Sequence, residues 1–213
     1  MRKLKNIILK EGDNLILEEG IKSFTVESLA SKLSMSKKTI YQYFPTKEVL
    51  LKKIITFKLK SMSKKFDNVF KSEPNDPVVQ FIKVRDLHIK FSSKSDSNRL
   101  IFLKTRYPDI WGIIEKYISE RIETFTNIFL LAQKKGYLKD TIDPTIAAKL
   151  FENILSTCAR PEFVLKNDFS LKDIIFHLEE ILGFGFFKKN ALKELQKYKN
   201  KNFKKREIIY GNN

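Results

Sequence analysis

The chain is poor in cysteine, glycine, proline, tryptophan and histidine. A single cysteine, Cys158, in 213 residues excludes a disulfide scaffold and any zinc site built from several thiolates. It suits a reducing compartment. Seven glycines and six prolines are too few for the many turns of an all-β architecture and favour helices joined by short connections. The longest uninterrupted apolar run, Ile128 to Ala132, is five residues, whereas a membrane span takes about 20. Near the N-terminus, Ile7-Ile8-Leu9 is followed at once by Lys10 and Glu11, too short for a signal-peptide core. A soluble, cytoplasmic protein with no membrane partner is expected. The two histidines, His88 and His177, stand in no HxxxH, HExxH or Cys–His arrangement, so no metal is expected. No GxSxG, P-loop or GxGxxG occurs, and the lone cysteine has no evident base. Neither an enzyme nor a cofactor is implied.

What the chain does have is positive charge, unevenly placed. The net charge is +16. Residues 1–60 hold 13 basic and 6 acidic residues, and residues 188–213 hold 9 and 2, so each end carries +7. Residues 61–187 hold 19 basic and 17 acidic residues. A nearly neutral middle between basic ends points to a polyanion, either nucleic acid or an anionic membrane surface. With 42% hydrophobic residues there is material for a real core.

No stretch alternates apolar with polar long enough for a sheet, and the spacing is helical throughout. A first helix turns Ile8, Gly12, Leu15 and Ile16 inward and closes at Gly20. Val26, Leu29, Ala30 and Leu33 mark a short second helix with Thr25 as its N-cap. Ser36 repeats that signal for a third short helix, with Ile40, Tyr43 and Phe44 inward, stopped by Pro45. Thr46 caps a fourth helix reaching about Phe70. After the break at 72–77 come a fifth (78–91), a sixth (98–106) and a long seventh opened by Pro108 and closed by Gly136. Asp143-Pro144 starts an eighth helix. Ser170 with Asp173 starts a ninth that runs to about Gly185. The expected fold is all-α with nine or ten helices: a DNA-binding domain (1–46), a helical effector-binding and dimerisation domain (47–187, in which 47–70 is the connecting helix) and a basic tail (188–213).

Two short helices joined by Ser34-Met35-Ser36 have the size of a helix-turn-helix. Its second helix must hold the first with one face and present the other to the major groove. Ile40, Tyr43 and Phe44 hold; Lys37, Lys38, Thr39, Tyr41 and Gln42 face outward. Lysine suits phosphate or guanine, Gln suits adenine edges, and hydroxyls suit phosphate. Thr25 and Ser36 stand where free helix N–H groups can meet a phosphate.

Residues 20–50, GIKSFTVESLASKLSMSKKTIYQYFPTKEVL, resemble the TetR family of transcriptional regulators. Gly20, Thr25, Leu29-Ala30, Ser36, Thr39, Tyr41, Tyr43-Phe44, Lys47 and Leu50 carry the likeness. It departs at Ser34, where the family has a turn glycine, so Ser34 is expected in a left-handed conformation. It departs again at Lys38, where the family has a small residue. The DNA-contact set so implied is Thr25, Val26, Ser36, Lys37, Lys38, Thr39, Tyr41, Gln42, Tyr43 and Lys47, on double-stranded DNA with a palindromic operator. Residues 134–156 and 171–186 resemble the family's last two helices, which pair across a twofold axis. The resemblance implies a homodimer through Leu150, Ile154, Cys158, Ile174, Leu178, Ile181 and Leu182. Both helices are apolar on a broad face, which by itself calls for a partner. It also implies a pocket for a small apolar or aromatic effector, with His88, Phe102, Trp111, Phe125, Phe129 and Phe151 as candidate lining. The expected function is a ligand-responsive regulator, a repressor; the alternative is a non-specific binder of DNA or an anionic membrane surface, driven by the basic ends.

Overall fold

The computed structural model describes residues 2–92, 97–158, 160–191 and 193. In chain order the helices are α1 (Arg2–Glu19), α2 (Val26–Lys32), α3 (Lys37–Tyr43), α4 (Lys47–Ser72) and α5 (Pro77–Ser92). They continue with α6 (Ser97–Arg106), α7 (Pro108–Lys134), α8 (Pro144–Cys158), α9 (Pro161–Lys166) and α10 (Leu171–Phe186). No strand forms among the described residues; an isolated antiparallel bridge joins Leu138 to Phe187.

The helix starts follow side-chain chemistry. The Thr25 hydroxyl accepts the Ser28 N–H at 3.0 Å, Ser36 accepts Thr39 N–H at 3.0 Å, and Thr46 accepts Val49 N–H at 3.1 Å. Asp76 and Asp143 act likewise for α5 and α8, and Ser170 for α10. Three helix ends share one C-terminal motif. After α2, Met35 N–H reaches Ala30 O and Ser34 N–H reaches Ser31 O. After α7, Tyr137 and Gly136 bond Ala132 O and Gln133 O; after α9, Phe169 and Asp168 bond Val164 O and Leu165 O. The residue at the reversal has positive φ each time: Ser34 at 51°, Gly136 at 67° and Asp168 at 53°. Ser34 is therefore left-handed, as expected. Helix α9 was not expected from the sequence. Its N-cap, Arg160, makes no side-chain capping bond, and the start is marked by Pro161 in the first turn.

The chain forms two compact units, and they do not follow the functional division expected at residue 46. One takes residues 1–65 and 94–117. Its core joins Ile8 and Leu15 of α1, Phe24, Leu29 of α2, Ile40 of α3 and Leu50 and Ile54 of α4 to Leu103 of α6 and Ile110 of α7. At Gly12 the first helix presses on α4: a Cβ there would lie 2.5 Å from Ile54 Cδ1. Beside it, Lys58 pairs with Asp13 at 3.5 Å. Arg99 of α6 donates Nη1–H to Leu17 O at 3.3 Å, over the end of α1.

The other unit takes residues 66–93 and 118 onward. Its centre is aromatic: Phe81 meets Phe125, Phe129, Phe151 and Phe187 with ring centroids 5.4 to 6.4 Å apart, three of the four edge to face. Buried Gln80 is satisfied by donating to Glu73 O at 2.7 Å. Main-chain bonds Lys139 N–H to Phe186 O and Lys188 N–H to Tyr137 O fasten the turn after α7 to the end of α10.

Candidate nucleic-acid interface

Helix α3 is only seven residues long, so its footing decides where its outer face points. Ile40 is fully buried and Phe44 nearly so, while Tyr43 packs half-buried against the same core. The opposite side presents Lys37, Lys38, Tyr41 and Gln42, all exposed, with half-buried Thr39 between them. Its N-terminus is tied twice, because the Ser36 hydroxyl also lies 2.9 Å from the Thr39 hydroxyl. The same double arrangement holds α2, with Thr25 Oγ1 2.7 Å from Ser28 Oγ. Lys5 of α1 stands over the Tyr43 ring and Lys47 over the Phe24 ring, each 5.9 Å from the centroid. Lys5 thus stands at the end of α3 and Lys47 beside the approach to α2.

Lys37 Nζ lies 2.7 Å from Glu27 Oε1, bridging α3 to α2. Lys37's hydrogen bond holds the Glu27 carboxyl below its ordinary range, and the same bond raises the Lys37 ammonium. This pair was not foreseen; the signal available was that Glu27 is the sole acidic residue from 20 to 47.

One member of the expected DNA-contact set needs correction. Val26 is 2% exposed and its side chain belongs to the core, because the first apolar position of α2 faces α1. Of the others, Thr25, Ser36, Lys37, Lys38, Thr39, Tyr41, Gln42, Tyr43 and Lys47, none is fully buried.

The expected effector lining divides between the cores of the two units. Phe102 and Trp111 pack against the core of the first unit. Phe125, Phe129 and Phe151 are fully buried in the second unit's aromatic centre, where they touch one another and Phe81. The reason is that α6 and the start of α7 supply core residues to the DNA-binding end of the chain. The His88 side chain lies outside the described residues.

The candidate dimer face fares differently. Ile146, Leu150 and Ile154 are exposed at 61%, 53% and 37% along one stripe of α8, at i, i+4 and i+8. On α10 Ile181 is 69% exposed and Phe176 is also exposed. Cys158, Ile174 and Leu178 are half-buried, and the Leu182 side chain lies outside the described residues. Sequence reading missed Ile146 and Phe176; the four-residue step back from Leu150 was the signal for the first.

Residues 8–54 match the family model of bacterial regulatory proteins, tetR family. That segment carries the family's N-terminal DNA-binding domain. The matched segment spans α1 to the first two turns of α4, the part whose geometry is described above. Over 181 residues the chain is 22% identical to the uncharacterized HTH-type transcriptional regulator YvaF of Bacillus subtilis, covering 84% of this chain and 93% of that protein. A TetR transcription regulator from Haloarcula marismortui shares the fold with a TM-score of 0.69 at 14% identity, over 88% of this chain and 100% of that one. SmeT, the repressor of the Stenotrophomonas maltophilia multidrug efflux pump SmeDEF, does so with a TM-score of 0.60 at 14% identity, over 88% and 92%. The matched segment and the named relatives are those of DNA-binding transcriptional regulators. No helix among the described residues is long and apolar enough to cross a membrane.

Proposed function

We propose that this protein is a cytoplasmic TetR-family repressor that grips a palindromic operator as a homodimer and yields it to a small apolar or aromatic effector. The observation that carries the reading is α3. It is anchored by Ile40 and Phe44, capped by Ser36, and free on the side that bears Lys38, Tyr41 and Gln42. Such a helix fits the major groove, with Gln42 and Lys38 suited to base edges and Tyr41 and Lys47 to phosphates. Residues 1–46, with Lys47 at the head of α4, supply these DNA contacts, and the rest of 47–187 the sensing and dimerisation. The exposed stripes of α8 and α10 support a twofold pairing through Leu150, Ile154, Ile174, Leu178 and Ile181, joined by Ile146. Dimerisation sets two copies of α3 about one helical turn of DNA apart, about 34 Å. Effector binding shifts the population away from that spacing, and α4 is the natural lever because it carries core residues of both units.

Selection of the purified protein against random duplex DNA at near-physiological salt tests this. A palindrome is expected, and Tyr41→Ala or Lys47→Ala should weaken its binding at least about tenfold while leaving the helix content unchanged. Binding to all duplexes alike, lost steeply with salt, would sink the operator reading and favour a non-specific polyanion binder.

A further inference from the structure

We infer that Lys37 serves DNA binding through Glu27: it does not grip the duplex but masks a carboxylate that would otherwise face the phosphates. The inference rests on the DNA-binding reading of α2 and α3.

Between residues 20 and 47 there are five lysines and one acidic residue, Glu27. A surface that meets a polyanion has no evident use for a carboxylate, yet Glu27 is not turned away from it. Its Oε1 lies 2.7 Å from Nζ of Lys37, the first residue of α3. Lys37 and Lys47, two of the candidate DNA contacts, both act on its charge. Lys37 in turn feels Tyr41, another candidate contact. Glu27 therefore sits inside the contact set.

The pair has little to do with stability. Both side chains are more than half exposed, 61% for Glu27 and 54% for Lys37, and a solvated pair of this kind contributes almost nothing to folding. Against DNA the balance changes. An unmasked carboxylate beside phosphates is a like-charge juxtaposition in a region from which water is partly excluded, and such contacts are costly. With the Lys37 ammonium drawn to Glu27, the two present a neutral, hydrogen-bonded patch. Lys38, next in sequence, is exposed and remains the cation turned outward.

A double-mutant cycle decides this, read by fluorescence anisotropy on full-length protein. The probes are the palindrome selected by the wild type and an unselected duplex of equal length. Lys37→Ala should lower affinity for both duplexes about tenfold by exposing Glu27. Adding Glu27→Gln should restore the affinity to within about threefold of wild type, since neither charge then remains to be offset, and Lys37→Ala should cost no more than about threefold when introduced into the Glu27→Gln single variant. Lys37→Arg, which keeps the pair, should bind like wild type. Thermal melts of all variants should coincide with wild type, which separates masking from a folding defect. If the double variant binds as weakly as Lys37→Ala, Lys37 contacts DNA directly and the inference is overturned, with the DNA-binding reading intact. A wild type that binds no duplex overturns that reading, and the inference with it.

Discussion

Ser34 shows how a single residue can be in the wrong conformation for its side chain and still belong there. The turn between α2 and α3 closes through Met35 N–H to Ala30 O, a geometry that requires positive φ at Ser34. A residue with a Cβ pays for left-handed backbone by about 1–2 kcal/mol, partly offset by glycine's larger entropy loss on folding. Ser34→Gly should therefore raise the unfolding free energy by about 0.5–1 kcal/mol, read as a shift in the denaturant midpoint at unchanged slope. The left-handed turn was legible in the sequence because a polar residue stood where the family pattern has glycine. The burial of Val26 was legible too, from its place in the Val26-Leu29-Ala30-Leu33 stripe. The family resemblance implied a DNA contact there, while the helix's own periodicity placed the side chain in the core, where it lies.

At the scale of elements, most helix starts could be read because they are made by local chemistry. Thr25, Ser36, Thr46, Asp143 and Ser170 each accept an N–H two or three residues ahead, so the spacing alone reveals them. Ser36→Ala removes the cap of α3, a helix of only seven residues. It should cost about 1 kcal/mol of stability, seen in thermal unfolding. Operator affinity should fall with it, because the amino end of α3 loses its fixed direction. Helix α9 is hard to read because Pro161 alone marks its start. Arg160 offers no side-chain cap, and the reversal at its other end falls on Asp168 in place of glycine. The aromatic residues were harder for a different reason. Helical spacing shows that Phe102 and Phe125 point inward, but inward to which core is settled by long-range packing. Phe102 went to one unit and Phe125 to the other.

For the whole molecule, the outer faces of α8 and α10 matter most. Ile146, Leu150 and Ile181 are each more than half exposed, an apolar surface that a monomer would hold against water. Leu150→Glu combined with Ile181→Glu should leave each chain folded but monomeric in sedimentation, with binding to the palindrome lost and binding to a single half-site kept. The broad apolar faces of both helices were legible; which side stayed uncovered needed the packing of α8 against α10. The division of the chain carries a consequence for engineering. The DNA-binding unit is stitched from two separated pieces, 1–65 and 94–117, and its core is incomplete without Leu103 and Ile110. It is thus no portable cassette. A cut after residue 65 would strip away part of its own interior, so a chimaera that borrows this reading head must also borrow α6 and the opening turns of α7, or supply their equivalents.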